Sequence, residues 1–249
     1  MRYPERSWIN GAYKLYCKWL KGYGQPRWWF LRSWGVHLPE MLLWYRTAGN
    51  GALGVEPANT FLRKVQRRRL NLLPPPARRA WEEAKMLAKE LCGKQGTNPV
   101  DWFTGGCGSL ERGWARLDAV YSIGPKIASW IMRDLSFMRD YSTGRGGLSV
   151  SETERRNPRW YRDLPPHDQA LFLPIDQRAL RGARRCRASR AALRHTLADI
   201  QIDGDLHRRV GREIAEWARK RRLDPRELNA YWYMHGSGWI NEDGTEIDE

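Results

Sequence analysis

Lys126 and Asp176 are the two side chains on which a chemical reading of this sequence turns. Lys126 follows Ser122-Ile123-Gly124-Pro125, a break between two helical patterns. Before the break, Leu110, Trp114, Leu117 and Tyr121 recur at the spacing of one helix face; after it, Ile127, Ile131, Leu135 and Met138 do the same. Gly124 permits a turn that a side chain would obstruct, and Pro125 suits the first position of a new helix. The pattern predicts a hairpin of two helices over 109–138, with Ser109 capping the first. Its second helix begins with unpaired backbone N–H groups, an end that favours an anion such as a DNA phosphate. Asp176 follows Pro174-Ile175 at a predicted helix N-cap. A plainer reading stands beside the chemical one: Lys126 as a phosphate-contacting lysine, Asp176 as a cap and nothing more.

Taken together, Ile123-Gly124-Pro125-Lys126-Ile127-Ala128 and the later Pro174-Ile175-Asp176 resemble the helix-hairpin-helix DNA glycosylase superfamily. The resemblance implies two packed helical lobes with the active site in the cleft between them. It implies that the hairpin grips the DNA backbone through Ser122, Gly124 and Lys126, and that a monovalent cation can sit there, with no other cofactor. A lysine at the Lys126 position marks the bifunctional members, which remove a base and then cut the strand, and Asp176 takes the place of their catalytic carboxylate. Two features depart from the family pattern. Ser122 replaces the first hairpin glycine, and Arg139 to Leu171 reads as an insertion between lysine and aspartate, either a mobile loop or a small lid on DNA.

The chemistry implied is base excision. Breaking the C1′–N bond builds positive charge on the sugar, which a carboxylate stabilises. An amine that attacks C1′ forms a Schiff base and enables elimination of the 3′ phosphate. Lys126 can do this only as a neutral amine, so its pKa must be lowered by desolvation, by a nearby cation or by the helix start. The target base must also be flipped out of the stack. Trp102, Phe103, Phe172 and Trp232 are the aromatic candidates for its pocket, and Arg178 and Arg181 for DNA contact. The expected substrate is damaged double-stranded DNA, first 8-oxoguanine and then oxidised pyrimidines, acted on by a monomer. Two rival readings remain: a monofunctional glycosylase, and a non-catalytic DNA-binding repair accessory protein.

Composition agrees with a polyanionic partner. The chain of 249 residues carries a formal charge of +15, a sequence pI of about 10.0 and 14 tryptophans. Cys17, Cys92, Cys107 and Cys186 lie far apart with no CxxC, which argues against a zinc ribbon or a clustered iron–sulfur centre. The five histidines, His37, His167, His195, His207 and His235, show no metal-ligand spacing. No apolar run is long enough for a membrane span and the N-terminus does not read as a signal peptide, so an intracellular, cytoplasmic or nucleoid-associated protein is expected.

The remaining elements read as all-α in a single unit, 1–249. One lobe is expected from 1–73 plus 177–249 and the other from 74–176. Helices are expected over Ser7 to Leu20, Leu38 to Ala48 and Asn59 to Leu70, the last carrying the basic run Arg67-Arg68-Arg69. A long helix follows Pro74-Pro75-Pro76 and runs through Cys92, with Trp81, Ala84, Leu87 and Leu91 inward. Beyond Asp176, Arg178, Arg181 and Arg185 share one helix face, and a later helix turns Leu206, Val210, Ile214 and Trp217 inward. A last helix covers Pro225 to Met234. The acidic tail Asn241 to Glu249 is expected to be disordered or peripheral.

Overall fold

A computed structural model describes residues 3–22, 38–49, 75–92, 108–141 and 160–247. The protein is all-α, with 12 helices and no strands among the described residues. The first three are α1 (Arg6–Gly22), α2 (Leu38–Gly49) and α3 (Pro75–Cys92). Each begins and ends within two residues of its expected place, because the sequence marks the boundaries: Pro75 opens α3 where a missing N–H costs nothing. The α3 face Ala77, Ala80, Trp81, Ala84 and Leu87 is buried, against Leu43 of α2 and the helices beyond.

The centre of the molecule is the hairpin of α4 (Leu110–Asp118) and α5 (Gly124–Tyr141). Ser109 caps α4 by accepting from the Arg112 N–H at 3.1 Å. From Ile127 to Phe137 every residue of α5 is buried, so this helix is surrounded rather than lying on a surface. Its polar side chains must therefore be satisfied by protein. Ser129 does so by accepting from the Trp114 indole N–H at 2.8 Å, which ties the two arms of the hairpin together.

Four short helices, α6 (Trp160–Asp163), α7 (Pro166–Ala170), α9 (Arg190–Arg194) and α10 (Leu197–Ile202), accompany α8 (Gln177–Arg185) and α11 (Gly204–Lys220); α7, α9 and α10 pack on α11. The chain closes with α12 (Pro225–Gly236), which packs along α1. Asp176, Ser189, Thr196, Asp203 and Asp224 cap the helices that follow them, each side chain accepting a backbone N–H of the first turn.

One expectation needs correction. The stretch Arg139 to Leu171 is no plain insertion loop: residues 139–141 finish α5, α7 packs on α11, and α6 is held to α7. Tyr161 and Gln169 lock them, the Tyr161 hydroxyl donating to the Gln169 carbonyl at 3.1 Å and the Gln169 amide to the Tyr161 carbonyl at 3.0 Å. Residues 142–159 lie outside the described residues. The tail, described as far as residue 247, is peripheral, the second of its two expected states: only Gly244 is buried, and the Tyr231 hydroxyl donates to the Glu242 carbonyl at 2.6 Å. The expected helix Asn59 to Leu70, with its arginine run, lies outside the described residues. Among the described residues, no helix is long and apolar enough to cross a membrane.

Candidate active site

The hairpin turn is built by two residues in left-handed conformation, Ser122 (φ 63°) and Gly124 (φ 59°). Gly124 adopts this freely, whereas a serine there is strained by roughly 1–2 kcal/mol. Ser122 stands exposed at the tip, while Ile123 beside it is buried and anchors the turn in the core. From behind, Glu83 of α3 accepts the Tyr121 N–H at 2.5 Å, and the Arg79 guanidinium lies 4.2 Å from the Tyr121 ring centre. The turn is thus held on its inner side and presented on its outer side.

Lys126 follows in the first turn of α5, half-buried. Burial pulls its ammonium below the ordinary lysine range; Asp176 acts in the opposite sense and Arg178 adds to the depression. Lys126, Asp176 and Arg178 therefore lie within electrostatic reach of one another, although they are distant in sequence. What brings them together is the segment 171–175, buried throughout. The Asn229 amide donates to the Pro174 carbonyl at 3.0 Å, fixing this segment against α12 just before Asp176.

Asp176 is both the expected cap and the carboxylate of the cluster. Its Oδ1 accepts the N–H groups of Arg178 and Ala179 at 2.9 and 2.8 Å. Its Oδ2 lies 3.5 Å from Arg178 Nη1, and its side chain keeps 21% of its surface open. Capping therefore uses one oxygen and leaves the other beside the Arg178 guanidinium. The Arg178 guanidinium in turn lies 5.1 Å from the Tyr233 ring centre. An amine with a lowered pKa beside a half-open carboxylate can act as a nucleophile with an electrostatic partner.

A buried polar network underlies this cluster, and sequence periodicity did not reveal it. Arg133 and Asp134 are fully buried in α5. Asp134 accepts from the hydroxyls of Tyr16 at 2.9 Å and Tyr45 at 2.8 Å. Arg133 donates to the Tyr16 hydroxyl at 2.5 Å and to Asn229 Oδ1 at 2.6 Å, the same Asn229 that holds Pro174. Burial works against the Arg133 charge, but Tyr16, Asp134 and Asp176 hold it ionised, and its pKa is raised. The network links α1, α2 and α5 to α12, whose Asn229 also holds the Pro174 carbonyl ahead of Asp176. The signal for it was a charged pair, Arg133-Asp134, inside a helix whose neighbours are apolar.

The other expected site residues fall in different places. Arg178 and Arg181, together with Arg185, line a cavity of about 270 Å³ between α8 and α12. Trp232 is in its wall, packed so closely across Gly182 that no Cβ would fit there. Phe172 is a correction: it is fully buried, edge-on to Tyr161 at 5.2 Å, and belongs to the core rather than to a base pocket. Trp102 and Phe103 lie outside the described residues. Among the described residues, no group of three His, Cys, Asp or Glu side chains could hold a metal ion. Cys17 and Cys186 are buried. No protein-family model, curated protein or solved structure matches this chain.

Proposed function

We propose that the chain is a bifunctional DNA glycosylase and abasic-site lyase of the helix-hairpin-helix type, acting intracellularly on damaged double-stranded DNA in base excision repair. The observation that carries the reading is the placement of Lys126, half-buried in the first turn of α5, within electrostatic reach of Asp176 at the cap of α8. The left-handed hairpin with its exposed tip, the arginines of α8 and the net charge of +15 agree with a DNA backbone as partner. In this reading the hairpin and the α8 arginines face a cleft between two helical lobes, and Ser122 and Gly124 present backbone N–H groups to a phosphate.

The reaction would run as follows. Asp176 stabilises the positive charge that develops on the sugar as the C1′–N bond breaks and its electron pair leaves with the base, which takes up a proton. The neutral Lys126 amine bonds to C1′. Opening of the sugar ring gives a Schiff base, loss of a proton from C2′ follows, and the C3′–O bond breaks with the phosphate as leaving group. Water then releases the enzyme. Oxidised guanine, 8-oxoguanine, is the first substrate to test, oxidised pyrimidines the second.

The test is incubation with duplexes bearing 8-oxoguanine, thymine glycol or uracil in the presence of borohydride, read on a denaturing gel. A covalent adduct with one lesion, lost in Lys126→Ala, is expected. Alkali-labile sites without an adduct would replace the reading with a monofunctional glycosylase. DNA binding with neither signal would replace it with a repair accessory protein.

A further inference from the structure

A second basic site lies at the N-terminal end of α12, apart from the Lys126 cluster. Arg6 of α1, Arg162 of α6, and Arg219 and Arg222 at the end of α11 line a cavity of about 210 Å³, floored by Gln169 and Leu223. Among the described residues, Arg219 and Arg222 form no ion pair or hydrogen bond through their side chains. Arg162 has only distant carboxylates, Asp224 and Glu227, each at 4.0 Å. Asp224 is committed elsewhere, to Arg226 at 2.9 Å. Four guanidiniums thus converge on one opening with too few carboxylates to balance them, and guanidiniums match phosphate oxygens in geometry as well as in charge.

Gln169 supplies an independent observation. Its Nε2 donates to the carbonyls of Tyr161 at 3.0 Å and Arg162 at 3.4 Å. Both partners only accept, so the amide cannot be flipped, and Oε1 is fixed as an acceptor. That oxygen receives no donor, although Gln169 is 2% exposed and the residue lines the cavity. A buried acceptor left unmatched costs stability, and a ligand hydroxyl beside the arginines would relieve it.

We infer that this cavity binds a phosphate ester carrying a hydroxyl near the phosphoryl group, with Arg6, Arg162, Arg219 and Arg222 around the phosphate and Gln169 Oε1 accepting from the hydroxyl. The inference is independent of the glycosylase reading. The same chemistry is offered by a free sugar phosphate and by the 5′-phosphorylated end of an RNA strand, whose 2′-hydroxyl stays free.

Calorimetric titration of the full chain tests it, with ribose 5-phosphate, ribose, inorganic phosphate and a 5′-phosphorylated ribodinucleotide as probes. Ribose 5-phosphate or the dinucleotide is expected to bind one per chain, and the tighter of the two names the source. Ribose is expected not to bind. The double variant Arg219→Ala, Arg222→Ala, changed at exposed positions, should weaken binding at least tenfold with an unchanged melting temperature. Gln169→Met should narrow the preference for ribose 5-phosphate over inorganic phosphate. Absence of binding by both esters, or binding indifferent to the double arginine variant, would overturn the site. A preference unchanged in Gln169→Met would overturn the hydroxyl contact.

Discussion

The two basic regions of this molecule use their cations in opposite ways. At the hairpin one lysine is half-buried, faces a carboxylate, and has its pKa lowered by burial. At the N-terminal end of α12, four arginines line a cavity, Arg219 and Arg222 exposed to solvent. A buried amine can shed its proton and become a nucleophile, whereas a guanidinium keeps its charge and attracts anions. The difference teaches that net charge alone did not distinguish chemistry from binding here. Burial and the nearest carboxylate did.

The support beneath each region should therefore respond differently to mutation. Asp134→Asn leaves Arg133 charged and buried without its carboxylate, and should cost about 3–5 kcal/mol in urea denaturation. Arg219→Ala should cost less than about 0.5 kcal/mol, as surface substitutions do. Equal losses at the two positions would erase the contrast.

Acid should strike the hairpin side next. His207 is fully buried, with Nε2 3.2 Å from both the Leu173 carbonyl and the Ser129 hydroxyl. The carbonyl can only accept, so Nε2 carries the proton of a neutral ring. Burial pushes its pKa down to about 4. A depressed histidine contributes stability that is present above pH 6.5 and is lost as pH falls towards 4, worth about 3 kcal/mol in all. Wild type should lose that much across this window in pH-dependent denaturation, and His207→Gln should not show that loss.

Glu227, beside the arginine cavity, behaves in the reverse sense. Burial first, then Asp224, raises its pKa to about 7, against Arg226, Arg162 and Arg6. The folded state favours its protonated form, so this contribution is present below about pH 4.5 and fades as pH rises through 7. Relative to wild type, Glu227→Gln should gain on the order of 2 kcal/mol by pH 8 and nothing at pH 4. A smaller effect, of opposite sign to the Asp134 loss, belongs to the hairpin tip. Ser122→Gly removes left-handed strain and should stabilise by about 0.5–1 kcal/mol in thermal denaturation.

Sequence patterning was most informative where a local rule operates. Ser109, Asp176 and Asp224 announced their helices as caps, Pro75 opened α3, and Gly124-Pro125 marked the hairpin. It was least informative where tertiary packing overrides period. Tyr161 and Gln169 tie α6 to α7 through side-chain bonds to the backbone that no periodicity encodes. Phe172 read as an available aromatic because burial depends on the segment's course through the core. The Arg133-Asp134 pair was hidden for the same reason: α5 is enclosed on all sides, so a face expected to meet water meets Tyr16, Tyr45 and Asn229 instead.

The central claim is that burial makes Lys126 a reactive amine beside Asp176. The most direct measurement is its pKa, from the pH titration of 13C-methylated lysine signals assigned with Lys126→Arg. The account predicts a Lys126 signal that titrates below the ordinary lysine value of 10.5 and falls further in Asp176→Asn, which removes the charge that holds the proton. A Lys126 that titrates at or above 10.5, or that is indifferent to Asp176, would contradict it.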